Sequence, residues 1–238
     1  MTDTLPDFKL HRPQTVKEVF TALAQDENAR ICAGGTDLIV NMRHGLIDTE
    51  TLIDISSVEE ISSINLNKNQ LRIGAGVTLA QLARNDSIAE TFPVLHQACL
   101  AIAGPTHRTR ATVGGNLCLD TRCLYYNQSH WWRKSNDFCL KYRGDICHVA
   151  PKGNRCRAAF SGDLAPALIA LGAEIELTGP QGQRTIALEG FYREDGADHL
   201  TLDPQEIITS VFVKIPSGKS AYQKIRVRGA MDFPLAGV

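Results

Sequence analysis

Ala111-Thr112-Val113-Gly114-Gly115-Asn116 has an earlier counterpart in Ala33-Gly34-Gly35-Thr36-Asp37, and the two glycine pairs carry most of what the chain discloses. Each pair follows apolar residues. A phosphate-binding turn needs backbone N–H groups aimed into one concavity, with no Cβ to block close approach. Gly-Gly ahead of a helix supplies both the open backbone and a positive helix end. Thr36, Thr112 and Asn116 add short side chains that donate to phosphate or ribose oxygens. One such pair alone reads first as a tight turn, because glycine is the default turn residue. Two similar pairs bring the phosphate reading level with it. Neither pair fits G-x-G-x-x-G or a P-loop, so a nucleotide held here predicts a fold other than Rossmann.

Away from the glycines the pattern alternates between helix and strand. Thr15-Val16-Lys17-Glu18 is a capping-box pattern that opens a helix running to Leu23. Arg30 to Cys32 reads as a strand, Thr36 to Met42 as a helix, and Thr51 to Ile55 and Leu71 to Ile73 as strands. Thr78 caps a short helix to Ala83, and Pro93 to Ala103 places Leu95, Ala98, Cys99 and Ile102 at a helical period. Leu164 to Leu171 reads as a helix ending at Gly172. Glu174 to Leu177 alternates as a half-buried strand does, and Ile207 to Ile215 and Tyr222 to Val227 are further strands. This mixed order favours α+β over a regular βαβ sheet.

The 238 residues allow one large domain or two smaller ones, and 43% hydrophobic with 21% charged residues excludes disorder, collagen and coiled coil. No apolar run approaches the roughly 20 residues that span a bilayer, so no membrane partner is expected. Met1 to Pro13 carries Asp3 and Asp7 and no apolar segment, which predicts no secretory signal and a cytoplasmic protein. A net charge of −1 gives no global reason to expect nucleic acid.

Charge and cysteine are unevenly spread. Thr121 to Phe160 holds eight basic and two acidic residues, both tryptophans, three of the five tyrosines and four of the seven cysteines. That stretch reads as an insertion with its own task. Cys123, Cys139, Cys147 and Cys156 form C-x15-C-x7-C-x8-C. Four thiolates complete a tetrahedral zinc site or a [4Fe–4S] cluster, each with a net charge of −2 that Arg122, Lys141 and Arg155 would offset. The spacing lacks the C-x-x-C core of most zinc ribbons and ferredoxins. A basic, aromatic surface loop with incidental cysteines is the competing reading, and such a loop also suits single-stranded nucleic acid. His130 and His148 lie among the cysteines as further possible ligands. Cys32 and Cys99 read as core, and Cys118 as packing beside the second glycine turn or, secondarily, as facing a ligand.

With these residues assembled, the chain resembles the flavin-binding subunits of the xanthine oxidase family of molybdenum hydroxylases. The resemblance rests on the two glycine motifs, Ile73-Gly74-Ala75 with Thr78, Ser161-Gly162-Asp163-Leu164, and Tyr222-Gln223-Lys224 with Arg226 and Arg228. Most of that family run from the second glycine motif to the Asp-Leu motif with only a short link, where here Cys118 to Ser161 intervenes. A four-cysteine insertion at this place is similar to that of the 4-hydroxybenzoyl-CoA reductase β subunits, which hold an extra [4Fe–4S] cluster there.

The resemblance implies a two-subdomain α+β FAD-binding fold of the PCMH/vanillyl-alcohol-oxidase type, not Rossmann. Subdomain 1 would be residues 1–55 and subdomain 2 residues 56–228, with the iron–sulfur insertion at 119–160 and the start of a C-terminal domain at 229–238. It implies FAD and a [4Fe–4S] cluster on Cys123, Cys139, Cys147 and Cys156. Arg30, Ile31, Cys32, Ala33, Gly34, Gly35, Thr36 and Asp37 would cradle the FAD pyrophosphate. Ala111, Thr112, Gly114, Gly115 and Asn116 would hold phosphate and ribityl oxygens. Asp163 would accept from sugar hydroxyls, the backbone around Ile102 would pack near the isoalloxazine or the adenine side, Ile208 would pack on the flavin region, and Lys224 would lie near the ring system's polar edge. Plainer roles stand beside these: core for Ile102 and Ile208, a helix cap for Asp163 or Asp37, and a solvated strand position for Lys224.

Three functions follow. The first is an electron-transfer subunit with no catalytic residues of its own. It would work in a complex with a molybdopterin large subunit and a [2Fe–2S] small subunit, reducing 4-hydroxybenzoyl-CoA with electrons from ferredoxin. The second is a flavin subunit of an oxidative hydroxylase that passes electrons to NAD or a quinone. The third is a zinc-stabilised binding module.

Overall fold

The computed structural model describes residues 5–238. Met1 to Thr4, which open the segment read above as no export signal, lie outside them. The first unit runs β1 (Lys9–His11), α1 (Val16–Leu23), β2 (Arg30–Cys32), α2 (Leu38–Arg43) and β3 (Thr51–Asp54). Its three strands pair in parallel in the order β1-β3-β2. β3 is central because Thr51, Leu52 and Ile53 are all buried. Thr15 Oγ1 accepts the Glu18 N–H, as the capping pattern predicts. The Glu18 carboxylate accepts from Gln14 rather than Thr15, so the box closes one residue early. α1 buries Val19, Ala22 and Leu23 against Ile53 and Ile55. Parallel strand–helix–strand units therefore do occur here, in strands of three and four residues, too short to show a period.

The second unit opens with β4 (Ile64–Leu66), β5 (Gln70–Gly74), α3 (Leu79–Ala83), α4 (Asp86–Thr91), α5 (Pro93–Ala101), α6 (Pro105–Arg108) and α7 (Val113–Leu117). After α8 (His130–Ser135) come α9 (Leu164–Ala170), β6 (Glu174–Gly179), β7 (Gly182–Ala187), β8 (Ile207–Lys214), β9 (Lys224–Ile225) and β10 (Ala236–Gly237). β4-β5-β8-β6-β7 form one antiparallel sheet. Leu71, Ile73, Val211 and Val213 meet Leu82, Leu95, Leu117 and Leu164 of the helices in the larger core. Successive residues of a strand face opposite ways. β8 uses this: Ile208 enters the larger core and Ile207 the smaller, so one strand serves both units.

The strand expected over Tyr222 to Val227 shrinks to β9. The Val227 and Arg228 N–H groups go to the Asp232 carboxylate at 3.2 and 3.0 Å, which turns the chain back so that β10 pairs with β9.

Residues 119–160 contain only α8 as regular structure. Side chains hold this stretch instead. Arg122 and Ala159 exchange backbone hydrogen bonds at 2.8 Å, zipping its two ends. Tyr126 donates to the Leu46 carbonyl at 2.8 Å and Arg133 to the Gly45 carbonyl at 2.6 Å, which docks it beyond α2. Lys141 Nζ donates to Asp120, Thr121 and the Gly196 carbonyl.

Candidate functional site

A cleft of about 490 Å³ runs between the two units. Every residue assigned above to the flavin lines it except Cys32, whose half-buried sulfur lies beside Gly35. The glycines have two different jobs. A Cβ on Gly34 would run into the Arg110 carbonyl, and one on Gly114 would sit 2.8 Å from the Ala75 Cβ. These two let the turns pack on neighbouring backbone. Gly35 has φ +70°, a conformation that a side chain would strain. Gly115 faces Thr112 and Ala33.

Thr112 Oγ1 accepts the Gly115 N–H at 3.1 Å, and Asn116 Oδ1 accepts the Leu164 N–H at 3.1 Å. Each holds the turn in place while its own donor, the hydroxyl or the amide NH2, is left for a ligand.

Asp163 is not a helix cap, and Lys224 is not solvated. Asp163 accepts from Tyr222 Oη at 2.7 Å and from Lys224 Nζ at 2.9 Å, with Asp163 and Lys224 side chains 5% and 4% exposed. Lys224 also donates to the Ala101 carbonyl. Burial, then the bond and charge of Asp163, push the Tyr222 phenol well above its usual range. Tyr222 was assigned no role from sequence; the partner 59 residues away leaves no local signal. Asp37 makes no cap either: its carboxylate pairs with the Arg122 guanidinium and accepts from Asn41 Nδ2 at 3.1 Å.

The cleft fits a polar ligand at particular atoms. His107 Nδ1 and Ser161 Oγ both belong to cleft-lining residues, are buried, and have no hydrogen-bond partner. Buried polar atoms are ordinarily paired, so these two call for a ligand's donors and acceptors. Ile102 and Ile208 add apolar wall for a ring system. Cys118, read as packing or, secondarily, as facing a ligand, lines the cleft, and burial pushes its thiol up to about 12.

A second, small cavity lies within 119–160. Cys123, Cys139, Cys147 and Cys156 all line it, together with Tyr125, Tyr126 and His148. Burial pushes the Cys147 thiol up, but N–H groups of Ala150, Arg157 and Val149 and the Arg157 charge bring it below its ordinary value. Burial raises Cys156, opposed by the Ala158 N–H at 3.4 Å from its sulfur and by Lys141. His148 bonds the Phe138 carbonyl through Nε2, and His130 is exposed. Among the described residues no three His, Cys, Asp or Glu side chains converge closely enough to chelate one ion.

Three comparisons with known proteins bear on the family and the fold. Residues 6–217 match the family model described as the FAD binding domain in molybdopterin dehydrogenase. The aldehyde oxidoreductase FAD-binding subunit of Escherichia coli is 32% identical over 97% of this chain and 76% of its own length. The carbon monoxide dehydrogenase medium chain of Afipia carboxidovorans is 29% identical over 92% of this chain and 63% of its own. The solved CO dehydrogenase from Oligotropha carboxidovorans superposes with a TM-score of 0.76 at 26% identity, covering 98% of this chain and 68% of that one. Quinoline 2-oxidoreductase from Pseudomonas putida shares the fold, with a TM-score of 0.73 at 22% identity. The architecture is thus the α+β flavin fold and not a Rossmann sheet, and the chain belongs to the family of FAD-binding domains of molybdopterin dehydrogenases.

Proposed function

We propose that this chain is the FAD-carrying electron-transfer subunit of a molybdenum enzyme of the 4-hydroxybenzoyl-CoA reductase type, with a [4Fe–4S] cluster on Cys123, Cys139, Cys147 and Cys156. The observation that carries the reading is that one cavity gathers all four cysteines of a stretch with almost no regular structure. Four thiols in one cavity are the donor set of a [4Fe–4S] cluster or of zinc, and metal analysis separates the two. N–H groups aimed at Cys147 and Cys156, with Lys141 beside Cys156, are the means by which proteins tune such clusters.

When bound, the two cofactors supply the redox chemistry, and the chain's own work is positioning and electrostatics. The glycine turns admit the pyrophosphate. Ser161 and His107, both in the cleft lining, carry buried polar atoms without partners, and the buried Asp163–Lys224–Tyr222 group braces the wall to which Asp163 and Lys224 belong. No residue is assigned to proton transfer. The partners would be a molybdopterin subunit, where 4-hydroxybenzoyl-CoA loses its phenolic hydroxyl reductively, and a [2Fe–2S] subunit. Electrons would come from ferredoxin. Leu124, Tyr125 and Val149 are exposed around the cysteine cavity, with Lys134, Arg143, Lys152 and Arg157 exposed on the same stretch, a surface suited to an acidic carrier.

The second reading, a flavin subunit of an oxidative hydroxylase, is favoured by the names of the relatives, an aldehyde oxidoreductase and a carbon monoxide dehydrogenase. Anaerobic purification with iron, zinc and acid-labile sulfide analysis separates the two. About four iron and four sulfide per chain, with a flavin spectrum, is the expected result. Flavin without iron would leave the oxidative reading. Zinc in place of iron would return the insertion to a structural role.

A further inference from the structure

The stretch 119–123 has the flavin cleft at one end and the cysteine cavity at the other. Leu119 and Asp120 line the cleft, Thr121 is buried, and Cys123 lines the cavity. Between them, the Arg122 guanidinium reaches Asp37, 85 residues earlier, in the first glycine turn. The pair is largely enclosed, with side chains 15% and 28% exposed. Asp37 itself lines the cleft, where an unpaired carboxylate would repel a bound pyrophosphate. Arg122 is held in place by its two backbone bonds to Ala159, three residues past Cys156. It is the only cation paired with Asp37 among the described residues. Its NH1 is buried without a hydrogen-bond partner, and its guanidinium carbon lies 5.7 Å from the centre of the Phe233 ring, so Asp37 is its one ionic partner among the described residues.

We infer that Arg122 makes flavin binding depend on the cysteine insertion: it masks the Asp37 charge only while Cys123 and Cys156 are tied down on either side of the Arg122–Ala159 pair. This rests on the reading that those cysteines hold a cluster. Removing the cluster frees both ends of the zip, lets Arg122 leave Asp37, and exposes a carboxylate to the flavin's phosphates. By linkage, bound FAD must stabilise the cluster by the same factor.

The test is the affinity for FAD, read from flavin fluorescence on anaerobically purified, flavin-depleted protein. Iron removal by a chelator should weaken FAD about tenfold in the unaltered protein, within the usual span of such couplings. Arg122→Gln should weaken FAD by a similar factor with iron retained, and iron removal should then cost little more. Adding Asp37→Asn to Arg122→Gln should restore most of the affinity, which a merely structural role for Arg122 does not predict. Asp37→Asn alone, which leaves Arg122 in place, should make FAD binding insensitive to iron and keeps the test open if Arg122→Gln folds poorly. Unchanged FAD affinity in Arg122→Gln, no rescue by Asp37→Asn, or equal effects of iron removal with and without Arg122 would each overturn the inference. Protein isolated without iron would sink the cluster reading instead, while the Arg122 and Asp37 variants still decide whether the pair guards the flavin site.

Discussion

The flavin cleft and the cysteine insertion adjoin, yet they are built on opposite plans. The cleft is walled by turns between strands and helices, and its buried charges are matched: Asp163 by Lys224, Asp37 by Arg122. The insertion has one six-residue helix and holds itself with side chains on carbonyls and cations over rings. Its Arg133 is 2% exposed, has no acid partner among the described residues, and leaves Nε and NH1 unbonded. A buried cation without an anion is costly. The ionic groups of the cleft are thus balanced within the fold, whereas Arg133 leaves the insertion with a buried positive charge that the fold itself does not neutralise.

The largest effect should therefore fall on the insertion. Cys139→Ser is expected to lose nearly all iron yet still take up flavin when FAD is in excess. Limited proteolysis should then cut within 124–155 and leave the rest intact. Equal iron in the variant would break the comparison at its root. In the cleft, Lys224→Met should destabilise by about 3–5 kcal/mol, because it leaves the Asp163 carboxylate buried without its cation. Thermal unfolding should show the loss, with iron per chain unchanged, and adding Asp163→Asn should recover most of it.

A smaller change sharpens the same contrast. Gly34→Ala sets a methyl against the Arg110 carbonyl, an overpacking that costs about 1–3 kcal/mol. Flavin content should fall while iron stays. Loss of both in equal measure would show that the glycine turns and the insertion fold as one unit.

Legibility from sequence followed the same divide. Helices such as Val16–Leu23, Pro93–Ala101 and Leu164–Ala170 lie within two residues of their expected ends, because caps and a 3.6-residue apolar period are local signals. β1 was missed because it is three residues long and mostly exposed. β7 was missed because Gln183, Arg184 and Thr185 carry no apolar alternation. The cleft residues were named from motif resemblance, and all but Cys32 line one space. Contacts that set their electrostatics were not readable: Arg122 on Asp37 and Tyr222 on Asp163 join residues 85 and 59 apart, and no spacing rule reaches that far.

The smallest effect lies at the seam between the two regions. His199 Nε2 bonds the Leu119 carbonyl at 3.0 Å, just where the chain leaves the cleft for the insertion. Burial holds the His199 imidazole below its ordinary value, only partly opposed by that bond, and Lys141 adds to the lowering. A histidine with a depressed folded pKa is neutral when folded, while the unfolded chain takes up a proton near 6.5. Its contribution is present above about 6.5 and is lost as pH falls through the folded value. The melting temperature should therefore decline modestly from pH 7 toward pH 5.5, and His199→Gln should flatten that decline without altering flavin or iron at pH 7.5. If flavin retention falls along with the melting temperature in that window, the seam transmits to the cleft. A fall in iron alone would place the weakness on the insertion side, where Arg133 is buried without an acid partner among the described residues.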